Sequence, residues 1–146
     1  MSLITPHGAT SLTPLLATGQ RLAELEAESA RLPSITVSSA AAANAVMLGA
    51  GYFTPLKGYM NRSDALSVAT DLKTTDGLLW PVPVLNMVER FDGNLGDRIA
   101  LRDPNVDGAP VIAVMDVTGI ECLSDDDLAL MTREVFGTDD PNHPGV

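Results

Sequence analysis

The chain has 146 residues, 19 acidic against 9 basic side chains, a formal net charge of -10 and 45% apolar residues. A chain of this length buries about two-thirds of its unfolded surface, and only 19% of it is charged, so disorder is excluded and one domain over residues 1–146 is expected. The basic residues are spread singly and Cys122 is the one cysteine, which argues against a nucleic-acid surface, a polybasic membrane contact, an internal disulfide and a thiolate metal cluster.

Residues 1–20 carry no charge; with no basic leading region and with Pro14 interrupting the apolar piece, they do not read as a signal peptide. Thr18 to Arg31 has helical spacing, with Leu22 and Leu25 on one face and Arg21, Glu24 and Glu28 around the rest. Pro33 stops that helix, and Ile35 to Val37 is a short β-branched strand. Residues 32–56 are also uncharged, but Pro33, Ser34, Thr36, Ser38, Ser39 and Asn44 interrupt them. A membrane helix needs about 20 predominantly apolar residues, so this stretch is expected to be core. Within it, Ser38 or Ser39 caps a second helix running to about Leu48, ended by Gly49.

Gly49 to Met60, GAGYFTPLKGYM, holds three of the six aromatic residues with three glycines and Pro55, and reads as an irregular loop. Its rings either pack internally or form a docking surface, made of Tyr52, Phe53, Pro55, Leu56 and Tyr59, for another domain or subunit. A third helix, Asp64 to Leu72, is capped by Asn61 or Ser63 and offers Leu66, Val68, Ala69 and Leu72 for burial; Asp76-Gly77 is a turn signal. Strand-like segments then follow at Trp80 to Val88, Arg98 to Arg102 and Pro110 to Val117, joined by turns at 92–94 and 103–108. They predict a small antiparallel barrel or curled sheet, with Pro81 and Pro83 at a strand start or an edge. A last helix, Asp125 to Phe136, begins at a Ser124 cap and buries Leu128, Met131 and Val135.

No local pattern makes a convincing active site. Asp125-Asp126-Asp127 lies where a helix start favours negative charge, and the stretch from Glu121 to Asp140, with seven acids and one base, reads as a solvated acidic face. His7 and His143 stand in opposite tails, with no metal-ligand spacing. Gly49-Ala50-Gly51 lacks the third glycine of a dinucleotide loop, and there is no Gly-Lys-Ser/Thr or G-x-S-x-G sequence. Cys122 closes a hydrophobic strand with no nearby histidine and is expected to be a buried structural thiol.

The order of LPSI at Leu32 to Ile35, NAVMLGAGYFTPLKGYM at Asn44 to Met60, DGLLWPVPV at Asp76 to Val84, IALRDP at Ile99 to Pro104 and FGTDDPNHPGV at Phe136 to Val146 resembles the N-terminal part of the sulfate adenylyltransferase (ATP sulfurylase) family across essentially the whole chain. GAGYFTPL and LRDPNVDG look most like the forms of sulfur-oxidising bacteria. The resemblance implies an α+β fold, a PUA-like β-pseudobarrel with flanking helices, that precedes a catalytic domain. It also implies a cytoplasmic enzyme that makes adenosine 5'-phosphosulfate and pyrophosphate from ATP and sulfate, with ATP and Mg as requirements of the full enzyme. The family's catalytic Gln-x-Arg-Asn and His-x-x-His are not found: the single Gln20 precedes Arg21 and Leu22. No catalytic, cofactor or metal residue is carried over, and the chain is expected to be an inactive fragment of a longer polypeptide. Its expected partners are the catalytic domain and, in a homo-oligomer, other copies. Two other readings are a free-standing RNA-binding module, disfavoured by net charge, and self-association through residues 49–60.

Overall fold

Short β-branched and aliphatic runs build the sheet. The computed structural model describes residues 4–145 and contains β1 (Ser34–Thr36), β2 (Arg98–Arg102) and β3 (Val111–Asp116), in the order β1-β2-β3. The central β2 pairs with strands on both sides, and its Ile99, Ala100 and Leu101 are all buried. Its continuous apolar run is the pattern expected of a strand covered on both faces. β2 and β3 are antiparallel, with an irregularity beside Leu101 and Arg102 that leaves Ile112 without a partner residue. β1 runs parallel to β2, from Ser34 opposite Ala100 to Thr36 opposite Arg102, so the ladder is mixed rather than the antiparallel one the sequence suggests. Its first partner lies more than sixty residues upstream, beyond the reach of any local pattern.

The chain divides into two compact units: one runs to Tyr59 and resumes over Asn86–Ile120, and the other joins Met60–Leu85 to the segment from Glu121 onward. In the first unit, α1 (Gly19–Ser29) and α2 (Ser39–Gly49) accompany the sheet. Val37, Ala41 and Ala42 pack with Ile99, Leu101 and Val117 as its core, flanked by Ile35, Tyr59, Phe91, Ile112, Ala113 and Met115. Ser38 caps α2 by accepting from the Ala41 N–H at 3.1 Å, and the helix runs one residue past Leu48 to end on Ala50. α1 is less embedded. Leu22 is exposed, contrary to the periodicity, and Ser29 is the buried residue of this helix. Arg98 at the start of β2 ties α1 down, pairing with both Glu28 and Asp116.

In the second unit, α3 (Arg62–Asp71) packs on α4 (Asp125–Phe136) through Ala65, Ala69 and Met131, with Leu66, Leu85, Leu123 and Val135 around them. Alanines at the contact let the two backbones approach closely. Asn61 caps α3, accepting from Asp64 N–H at 2.7 Å. Ser124 and Asp127 form a reciprocal capping box on α4, and Gly137 closes that helix at φ +71°, a left-handed conformation suited to glycine. Leu72 ends α3 in the same region and is exposed, as is Leu128 on α4. Both were expected to be buried; instead Ala65 takes a core position on α3, and Met131 and Asp127 are the buried side chains of α4.

The segment after the 74–78 turn corrects another expectation. Only an isolated bridge, Lys73 to Leu79, forms there, and residues 80–88 contain no strand. Pro81 and Pro83 remove two of the N–H groups a ladder would use. Bonds to this segment run from Trp80 N–H to Leu72 C=O at 2.9 Å, from Met60 N–H to Val84 C=O at 2.8 Å and from Val84 N–H to Met60 Sδ at 3.5 Å.

Candidate functional site

Residues 49–60 are folded onto the first unit by a few specific contacts. The Thr54 hydroxyl donates to Gly51 C=O at 2.7 Å and accepts from Thr13 N–H at 3.0 Å, which satisfies a buried polar group twice. Gly51 has φ +81°, and a Cβ there would lie 3.1 Å from Pro14 N, so conformation and space both require glycine. The N–H groups of Leu15 and Leu16 converge on Gly49 C=O at 2.9 and 3.0 Å. The loop is therefore knotted to the N-terminal lead-in.

Its candidate contact residues have different fates. Tyr52 is exposed; Phe53, Pro55 and Leu56 are half-buried. Tyr59 turns inward against the sheet core, where its hydroxyl donates to Ala41 C=O at 2.8 Å. Desolvation by burial pushes its phenol up to about 12. Tyr59 thus serves packing, while Tyr52 presents a large ring to solvent.

The most strongly perturbed carboxylate lies in the second unit. Arg62 clasps Asp127 with two bonds, Nε to Oδ2 at 2.8 Å and Nη2 to Oδ1 at 2.7 Å. The guanidinium and the Ser124 N–H hold the Asp127 carboxyl at about 2, while the same pair raises Arg62 above its usual value. Perturbed groups mark candidate active sites, but every partner of this carboxylate is part of a helix cap or of the α3–α4 tie. The three consecutive aspartates open α4 rather than gather around a metal. Among the described residues, no group of three or more His, Cys, Asp or Glu side chains is placed to hold one.

The remaining candidates are peripheral. Cys122 is exposed, not the buried thiol expected, because β3 stops at Asp116, six residues earlier. His7 is exposed, and His143 lies against Phe136, with ring centroids 5.3 Å apart, while its Nδ1 accepts from Gly145 N–H at 3.1 Å. At least six of the nine basic side chains, Arg21, Arg62, Arg90, Arg98, Arg102 and Arg133, are engaged with oxygen atoms of this chain. Among the described residues, no helix is long and apolar enough to cross a membrane.

Residues 4–146 match the family model described as a PUA-like domain. The chain belongs to the PUA-like domain family. Among the described residues its architecture is α+β, with four helices and a three-stranded mixed sheet. This PUA-like domain is 56% identical to a sulfate adenylyltransferase of Alcanivorax borkumensis over 148 aligned residues, which cover 100% of the chain and 37% of that protein. It is 54% identical to the sulfate adenylyltransferase of Allochromatium vinosum, covering 99% of the chain and 37% of the relative, and 43% identical to that of the Riftia pachyptila sulfur-oxidizing endosymbiont, covering 99% and 33%. The chain thus spans little more than a third of the length of these curated relatives. Among solved structures, the hexameric APS kinase from Thiobacillus denitrificans matches with a TM-score of 0.63 and 31% identity, over 77% of this chain and 22% of that one.

Proposed function

We propose that this PUA-like domain is the non-catalytic N-terminal domain of a sulfate adenylyltransferase, in which it supports and contacts the catalytic domain. The observation that carries this reading is the match along the entire chain, at 56% and 54% identity, to enzymes of that name of which it spans 37%. The full enzyme joins ATP and sulfate into adenosine 5'-phosphosulfate and pyrophosphate in the cytoplasm, with ATP and Mg as its requirements. Sulfate is a weak nucleophile, so attack on the α-phosphate depends on positioning and on cations that neutralise the charge spreading in the transition state. The arginines of this chain that pair with its own carboxylates are poorly suited to that task. What the domain supplies is a folded surface for the catalytic part and, in an assembled enzyme, for other subunits.

The purified 146-residue chain, mixed with adenosine 5'-phosphosulfate, pyrophosphate and magnesium, is expected to form no ATP above a protein-free control in a luminescence assay. Turnover that co-purifies with the chain through successive columns would overturn the reading.

A further inference from the structure

Asp76, Asp92 and Asp107 are each followed directly by glycine. A carboxyl next to glycine meets the least hindered backbone nitrogen in the chain, because no Cβ stands beside it, and the structure treats the three pairs differently. At Asp76 both reacting groups are engaged: the carboxylate accepts from the Thr74 hydroxyl, and Gly77 N–H donates to Thr74 C=O at 2.9 Å. The Asp92 carboxylate accepts from Arg90 Nε at 2.7 Å, and a Cβ on Gly93 would run into the Phe91 ring. Asp107 is exposed, and among the described residues neither its carboxylate nor Gly108 N–H has a hydrogen bond or ion pair. A Cβ on Gly108 would meet no atom within 4 Å. The pair is the centre of a turn between β2 and β3, closed by Ala109 N–H on Val106 C=O at 2.9 Å. Gly108 has φ +81° and Ala109 φ +43°, the latter in a region that residues with a Cβ rarely adopt. The base of this connection is tied down: Asp103 N–H donates to Pro110 C=O at 3.0 Å, and Arg102 Nη1 to Ala109 C=O at 3.0 Å.

We propose that Asp107 is a site of spontaneous isoaspartate formation, selected by the fold from among the three Asp-Gly pairs. Gly108 N attacks Cγ of the protonated Asp107 side chain; the C–N bond forms, the Cγ–OH bond breaks, and the hydroxyl leaves with the amide hydrogen as water. The cyclic imide then takes up one water. Opening at Cγ restores aspartate, whereas opening at the backbone carbonyl carries the chain through Cβ and Cγ and leaves a free carboxylate on Cα. No oxidant or cofactor takes part, and product and starting chain have the same mass. Asp103, in the same connection, is barred from this chemistry because Pro104 N has no hydrogen to release. The product lengthens the backbone by one methylene beyond the last ladder pair, Arg102 with Val111, so the strand register is spared. It presents a carboxylate on the Cα of a β-linked residue, the group that an isoaspartate-specific carboxyl methyltransferase esterifies. The inference is independent of the reading as a sulfate adenylyltransferase domain, since an unreactive Asp107 would leave that reading intact.

The purified chain, held for weeks in mildly acidic buffer at body temperature, tests this by methyl transfer from S-adenosylmethionine with such a methyltransferase, followed by peptide mapping with fragmentation that distinguishes the β-linkage. In the folded chain the peptide carrying Asp107 is expected to gain isoaspartate several-fold faster than those carrying Asp76 and Asp92. In the urea-unfolded chain the three are expected to react at similar rates. Deamidated asparagine is told apart by its change in mass. Asp107→Glu, which keeps the charge but would need a larger imide ring, is expected to remove the leading signal with an unchanged circular dichroism spectrum. Earlier reaction at Asp76 or Asp92 in the folded chain would overturn the proposal, as would a folded chain in which none of the three reacts. So would the same lead for Asp107 with and without urea, which would assign the selectivity to neighbouring sequence rather than to the fold.

Discussion

Asp127 is the residue whose ionisation contributes most visibly to folding. Its carboxyl sits at about 2 against an ordinary value of 3.8, held there first by the Arg62 guanidinium and then by the Ser124 N–H, with burial opposing both. Because the folded-state value lies below the unfolded one, the native chain binds fewer protons through this group. Its contribution is complete above about pH 4 and is lost as pH falls toward about 2. Asp127→Asn keeps the shape and an acceptor for the cap but removes the charge that Arg62 clasps. The urea midpoint of the wild type should therefore drop more between about pH 6 and about pH 2.5 than that of the variant, which is already weaker at the higher pH. Equal drops would show that the clasp contributes no pH-dependent stability. The variant is not expected to become pH-independent, because the Thr74 hydroxyl lowers Asp76 and Asn142 lowers Asp140.

At the scale of elements, α1 shows how one side chain positions a helix that packing barely holds. Its tie to the sheet is Arg98, which reaches Glu28 on α1 and Asp116 on β3. With the arginine side chain about one-third exposed and Asp116 at 71%, solvent screening limits the pair to about 1 kcal/mol. Arg98→Met keeps the aliphatic stem and removes the charge, so amides of α1 should exchange about fivefold faster while those of β2 keep their protection. Unchanged α1 exchange would assign the helix to its apolar contacts alone. Local chemistry announced the elements with caps most clearly: Ser38, Asn61 and Ser124 each bond the N–H three residues on, and the helices begin where these residues stand. Periodicity marked apolar positions but not which of them a neighbour covers, so Leu22 and Leu128 emerged exposed. The parallel pairing of β1 with β2 depends on residues far apart in the chain. The proline-broken segment 80–88 was apolar enough for a strand but lacked the donors. Within residues 49–60, composition singled out Tyr52 and Tyr59 equally; only the fold, by placing Ala41 C=O beside one of them, separates the core ring from the surface ring.

Across the whole molecule the negative charge is uneven. The unit built from residues 60–85 and 121–146 carries ten acidic and three basic side chains, a net of -7, and the longer unit of residues 1–59 and 86–120 carries the remaining -3. Some of that acid is favourably placed: Asp125, Asp126 and Asp127 occupy the first turn of α4, where the helix dipole attracts them. The others repel one another over distances that salt screens, the screening length falling from about 30 Å at 0.01 M to about 10 Å at 0.1 M. The Arg62–Asp127 clasp, close and half-buried, is screened much less, so added salt relieves the repulsion more than it weakens the attraction. Amides of α3 and α4 should therefore gain hydrogen-exchange protection when NaCl rises from about 0.01 M to about 0.3 M, and gain more than those of β2 and β3. A uniform gain in both units would point to a general salt effect on apolar burial. A loss confined to α3 and α4 would mean that the clasp outweighs the crowd of carboxylates around it.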